Sequence, residues 1–243
     1  MSQQDYKVVP VEDQDTEEIM KTFFIDEPMN QAVGLCSDGL CAELDEYCRH
    51  CLPEDLSFKA IDKDGNIVGV MINGICPLKE AEKCQNLKFQ KILYVLAKRE
   101  DGCRLYEKFP EEEQLIDVKV AATHPQVSLA QSLLTSEYRS TYEFKPAILF
   151  NCRKLTQERG IRLLRMDTSS AYSAMSAERL GFKCMYSAPY TEMKLDGRPL
   201  IVPEPPHVDD RVYIKTLLLI LKSECMVEFY TVFLPVRIET IIP

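Results

Sequence analysis

Apolar and polar residues alternate weakly over Tyr6–Pro10, the pattern of a half-buried strand. Asp15-Thr16-Glu17-Glu18 then opens a helix with cap-type residues and acidic first-turn charge, and Ile19, Met20, Phe23 and Phe24 give it an apolar stripe. Asp26-Glu27-Pro28 is expected to end it, because the residue before proline avoids the α region. A second helix is expected from Ser37-Asp38 to about Cys51, with Leu40, Cys41, Leu44, Cys48 and Cys51 facing inward. Phe58–Ile61 and Ile67–Ile72 read as two strands joined across Asp62-Lys63-Asp64-Gly65-Asn66, where glycine suits a positive φ. A third helix is expected over Lys79–Lys98, followed by a charged loop, and Leu115–Ala121 reads as a strand.

Farther along, Ala147–Arg159 is expected to be helical and to stop at Gly160. Ile161–Met166 reads as a strand and Ser170–Leu180 as a short helix closed by Gly181. Cys184–Met193 and Val208–Thr216 read as the last two strands, separated by a proline-rich stretch from Pro199 to Pro206. One hairpin and one strand–helix–strand crossover predict a single mixed α/β domain over residues 5–216. Two segments depart from this pattern. Val127–Lys145 shows no clean period and reads as an atypical insert, and residues 217–243 form an atypical C-terminal tail.

With 243 residues, 46% hydrophobic and 28% charged, the chain can bury a core without a disulfide or metal staple. Lys plus Arg number 29 against 38 Asp plus Glu, a net charge of -9 that repels phosphate backbones and suits small cations. No nucleic-acid partner is therefore expected. No signal-type N-terminus and no run of 18 apolar residues is visible, so no membrane partner is expected and a cytoplasmic location is. Ten cysteines in such a compartment read mainly as reduced thiols. Cys36, Cys41, Cys48 and Cys51 cluster around His50, but no second close pair follows at zinc spacing, so no metal is expected.

Two places carry candidate chemistry. Glu27 lies near Phe23, Phe24 and Met29, and a carboxylate among apolar side chains is raised in pKa, as a general base requires. A solvated helix-end acid would have the same signature. Thr168-Ser169-Ser170-Ala171-Tyr172-Ser173 follows a strand end and opens a helix, a junction that binds anions or presents hydroxyls. Ser169 and Ser173 are four apart and can share a face, while Ser169 or Ser170 can equally serve as a plain N-cap. His124 follows a strand end but has no partner motif, and His207 sits in a Pro-Pro-His loop. No G-x-G-x-x-G, Walker loop or H-E-x-x-H occurs, and no glycine lies between Gly102 and Gly160.

Together these segments resemble the insect-type arylalkylamine N-acetyltransferases of the GNAT acyltransferase superfamily. Phe24-Ile25-Asp26-Glu27-Pro28-Met29-Asn30 resembles that family's D-E-P-L-N segment, and Ser57–Gly74 its central hairpin. Leu115–Val120 resembles the strand that lines the cofactor, and Arg159 through Ser169-Ser170-Ala171-Tyr172-Ser173 to Leu180-Gly181-Phe182 resembles its S-S-x-Y-S helix and L-G-F end. The resemblance implies a mixed, mostly antiparallel sheet flanked by helices. It implies transfer of acetyl from acetyl-CoA, as co-substrate, to an amine such as dopamine, serotonin or tyramine by direct attack.

In that scheme Glu27 is the base, Ser169 and Ser173 lie near the thiolate and substrate, and Tyr172 protonates the leaving thiolate. The backbone of Ala121, Ala122 and Thr123 holds the pantetheine arm like an added strand. The resemblance also sets a departure. The family places R/Q-x-x-G-x-G/A after this strand to bind pyrophosphate, whereas here His124-Pro125-Gln126 leads into the insert. This admits an alternative, a catalytically impaired isoform of the same fold acting as a binding protein.

Overall fold

The turn at Gly65 shows how local chemistry starts the sheet. Asp62 accepts from the backbone N–H groups of Asp64 and Asn66 at 2.9 and 2.8 Å, and Gly65 takes φ 87°. This reverses the chain between β2 (Phe58–Asp62) and β3 (Ile67–Pro77), which pair antiparallel as the alternation predicts. The computed structural model describes residues 6–23, 28–35, 37, 42, 45–46, 49, 52, 56–77, 87–123 and 158–217.

β1 (Tyr6–Pro10) lines β2, and β3 pairs in turn with β4 (Gln114–Thr123). β4 runs parallel to β5 (Leu163–Thr168). The chain continues through β6 (Lys183–Pro189), a small hairpin of β7 (Lys194–Leu195) and β8 (Arg198–Pro199), and β9 (Asp209–Thr216). β9 inserts between β5 and β6, antiparallel to both, giving the order β1-β2-β3-β4-β5-β9-β6. The result is the mixed, mostly antiparallel sheet that the sequence reading expects, with helices against it.

Those helices are α1 (Thr16–Phe23), α2 (Pro28–Val33), α3 (Leu87–Cys103), α4 (Leu105–Lys108) and α5 (Ala171–Arg179). The period of two along each strand sorts them into two layers. Val70 and Ile72 face one cluster with Ile19, Met20 and Phe23 of α1 and Ile92 and Val95 of α3. Met71 faces the other, with Ile116, Leu164, Met166 and Ala174 and Ala177 of α5.

Several boundaries move from expectation. α1 stops at Phe23, and Pro28, expected as a stop, opens α2, where its missing N–H is no loss. The third helix does not end at Lys98 but continues through the charged run to Cys103, because Arg99 belongs to its buried stripe of Ile92, Val95 and Cys103. The strand expected over Ile161–Met166 sits two residues later, at Leu163–Thr168. The strand expected over Cys184–Met193 ends at Pro189 and gives way to a 3₁₀ turn over Tyr190–Glu192. Of the helix expected over Ala147–Arg159, only 158–159 are described, both helical, and Gly160 does stop them at φ 71°. Most of the expected second helix, the insert Val127–Lys145 and the tail beyond Leu217 lie outside the described residues.

Helix α3 approaches the sheet closely at Gly102, where a Cβ would lie 2.3 Å from two ring carbons of Tyr186 on β6. Gly102→Ala must displace that ring or the helix. It is expected to lower unfolding free energy by about 1–3 kcal/mol in urea titrations, against the slight gain alanine normally gives inside a helix.

Candidate active site

Strands β4 and β5 begin as a parallel pair, with Ile116 opposite Leu164, Asp117 opposite Arg165 and Val118 opposite Met166. Their ladder ends there. β4 continues to Thr123 paired with β3, while Asp167 and Thr168 of β5 pair with β9. At the same point the β3–β4 register steps by one between Ile72 and Asn73, so β4 carries Lys119 as an extra residue. A bulge increases local twist and bends its strand, and here it coincides with the parting of the two strands. Ala121, Ala122 and Thr123 all lie on the part of β4 beyond the split. An extended chain-like ligand with amide groups could add to that backbone as a strand does.

Across the split, β5 leads into Ser169, Ser170 and α5. Ser170 is the N-cap, its Oγ accepting from the Tyr172 N–H at 3.2 Å. The Ala171 N–H donates to Nδ1 of His207 at 3.2 Å. The His207 ring meets Tyr172 edge-on, centroids 5.5 Å apart. Two of the first α5 amides are thus already satisfied, so this helix start presents hydroxyls rather than bare donors for an anion. Ser173 Oγ donates to the Ser170 carbonyl at 2.8 Å, leaving its lone pairs to accept. Tyr172 is about half exposed. His207 is a loop residue, as expected, yet its capping of α5 was not legible from the sequence.

Beneath this turn the sheet face toward α3 changes character. Leu163 of β5 and Val212 and Ile214 of β9 are apolar, but Arg165, Asp167 and Asp210, farther along on the same alternation, are charged. Arg99 enters from α3 and donates from Nε and Nη2 to the two carboxylate oxygens of Asp210 at 2.8 and 2.5 Å, and from Nη1 to Asp167 at 3.1 Å. Arg165 holds Asp167 with two bonds of 2.7 Å and also pairs with Glu100. Burial opposes ionisation of Asp167, but Arg165 and Arg99 outweigh it and hold the carboxyl below the usual carboxylate range. For Glu100 the balance reverses, and burial pushes its carboxyl up despite Arg165. The sequence reading missed Arg99. Its spacing of seven from Ile92 and four from Val95 was the available signal.

Of the sequence-predicted site residues, Ser169, Ser170, Tyr172 and Ser173 share one turn, and Ala121, Ala122 and Thr123 share one strand end. Glu27 and His124 lie outside the described residues, although Phe23 and Met29, on either side of Glu27 in the chain, are buried in one cluster. The cluster of Cys36, Cys41, Cys48, Cys51 and His50 also lies outside them. Among the described cysteines, burial pushes the Cys103 thiol up to about 12, which leaves it inert at neutral pH, and Cys184 is exposed. Among the described residues, no helix is long and apolar enough to cross a membrane.

The seven-stranded, mostly antiparallel sheet with helices against it matches solved structures of the GNAT fold, and the chain has that fold. It is similar to arylalkylamine N-acetyltransferase 2 from Aedes aegypti, with a TM-score of 0.73 and 22% identity over 88% of this chain and 100% of that one. It is likewise similar to a Drosophila melanogaster polyamine N-acetyltransferase that forms N-acetylagmatine, with a TM-score of 0.71 and 22% identity over 88% and 100%. The C-terminal condensation domain of Ebony, in complex with beta-alanyl-dopamine, aligns with a TM-score of 0.65 and 14% identity over 88% and 100%. No protein-family model matches the chain.

Asp210→Ala would leave Arg99 buried without its bidentate partner, and a loss of about 3–5 kcal/mol is expected in chemical denaturation. Asp167 also sets an acid limit. Its folded pKa is depressed, so its contribution is complete above the unfolded value of about 3.9 and is lost as pH falls through the folded one. The urea midpoint should therefore decline below about pH 4, and Asp167→Asn should flatten that decline.

Proposed function

We propose that this chain is an N-acetyltransferase that moves acetyl from acetyl-CoA to a small arylalkylamine. The observation that carries the reading is the split between β4 and β5 beside a hydroxyl-bearing turn. Solved proteins of this fold include enzymes named for acetylating arylalkylamines and polyamines, and the net charge of -9 favours a cationic acceptor.

Acetyl-CoA would supply a thioester carbonyl as the acyl donor. The backbone of Ala121, Ala122 and Thr123 would hold its pantetheine arm. Glu27 would take the proton from the arriving ammonium ion, directly or through water, so that the amine lone pair can form the new N–C bond. The C–S bond breaks with its electron pair on sulfur, Tyr172 would return a proton to that thiolate, and the second proton shed by the acylated nitrogen would restore the Tyr172 hydroxyl through water. Ser169 and Ser173 would offer hydroxyls to the sulfur and the amine. Dopamine, serotonin and tyramine are the acceptors proposed.

A second reading rests on one sequence observation, the absence of any glycine between Gly102 and Gly160. Without the family's glycine loop, several charge-assisted bonds to pyrophosphate are lost, at about 1.5–3 kcal/mol each. The chain would then bind an amine and no longer turn over.

Thiol release from acetyl-CoA with dopamine or tyramine is expected from the purified chain, with a weaker response to agmatine. Glu27→Gln should reduce kcat about a hundredfold or more, and Tyr172→Phe should slow turnover with little change in the KM for amine. A calorimetric titration separates the readings: micromolar CoA binding supports the enzyme, and amine binding without CoA binding supports the second reading.

A further inference from the structure

Tyr190 lies between the buried charges and the serine turn. Its side chain is 2% exposed, in the cluster that also holds Met29. Its hydroxyl oxygen lies 3.3 Å from Oδ1 of Asp210 and 3.4 Å from the carbonyl oxygen of Ser169. Both neighbours accept, so one O–H is shared between them. Asp210 cannot rotate away, because its two carboxylate oxygens are held by the fork of Arg99. Arg99 in turn lies 3.8 Å from the sulfur of Met29, two residues after Glu27 in the chain.

We propose that Tyr190 is a positioning residue for the candidate active site: clamped by the Arg99–Asp210 pair, its hydroxyl fixes the Ser169 carbonyl and so the peptide plane that aims Ser169 and starts α5. The carbonyl direction sets the backbone angles of Ser169 and Ser170. Those angles decide whether Ser170 caps Tyr172 and where the hydroxyls of Ser169 and Ser173 point. Through Met29 the same arginine registers this turn against the segment that follows Glu27. The kinetic part of the proposal rests on the acetyltransferase reading; the structural part does not.

The test uses full-length Tyr190→Phe, which deletes one oxygen and keeps the ring. Hydrogen exchange read by mass spectrometry should quicken about fivefold in peptides covering Ser169–Ala174, a change within reach of one lost hydrogen bond. Peptides covering the β2–β3 hairpin should stay within twofold. In the thiol-release assay, kcat should fall about tenfold while the KM for acetyl-CoA stays within twofold. Tyr190→Met, which fills the space with an adaptable apolar side chain and no hydroxyl, is read on the same peptides if Tyr190→Phe does not fold. Unchanged exchange at Ser169–Ala174, an equal rise across the whole sheet, or unchanged kcat in an active enzyme would each overturn the proposal. If the unaltered chain releases no thiol with any amine, the acetyltransferase reading falls, and the exchange data alone still decide the role of Tyr190.

Discussion

The pairing of Arg99 with Asp210 and Asp167 is the constraint on which the rest of this structure depends. A guanidinium and two carboxylates taken out of water lose several kcal/mol of hydration apiece, and only close geometry returns it. Such a cluster adds little stability over well-packed apolar side chains of the same volume. Its effect is to select one arrangement. The apolar stripe of α3 could rest on the sheet at more than one helical register, since Ile92 and Val95 meet a greasy surface in each. Only one register sets Arg99 opposite Asp210 with both bonds made. The charges therefore decide where α3 lies, and α3 in turn packs against α2 and β6.

That fixed helix gives the split between β4 and β5 its meaning. Two parallel strands can separate only if something other than their own ladder holds each of them. β4 keeps β3 as far as Thr123, and β5 keeps β9 as far as Thr168. The extra residue at Lys119 bends β4 where the ladder ends. The wedge is thus a product of register, built from backbone geometry. On the serine-bearing side, Arg99 ties β5 to β9 through Asp167 and Asp210, so the strand that leads into the turn is held together with its neighbour.

Much of this was legible in the sequence where a local rule and the tertiary context agree. The β2–β3 hairpin follows from alternation and the Asp-Lys-Asp-Gly-Asn turn, and Ser170 caps α5 as its position suggests. The failures have two causes, a local signal outweighed by a distant partner and a local signal read too coarsely. The run Arg99-Glu100-Asp101-Gly102, after the helix expected to end at Lys98, reads as a charged loop. In the fold Arg99 and Glu100 turn inward to residues 65 to 111 positions away, which no periodicity reports. Asp196-Gly197, just ahead of the proline-rich stretch, is a two-residue hairpin signal left unused; both residues take positive φ, at 51° and 78°. The hydroxyl turn was identified from Ser169 to Ser173, while Tyr190, His207 and Asp210, which hold it, come from later segments with no motif of their own.

The place of β9 in the sheet has a consequence for how the molecule is made. It is the last of the described strands along the chain, yet it lies between β5 and β6. A nascent chain extended only through β6 has neither strand paired on that side, and its Arg99 has no Asp210 to meet. Completion of the sheet must await synthesis of the final strand, which then has to enter a slot between two elements already present. Non-local closure of this kind is slow and leaves open strand edges while it is pending. Newly made chains of this protein are therefore most exposed to misassociation in the interval between the emergence of β6 and the arrival of β9.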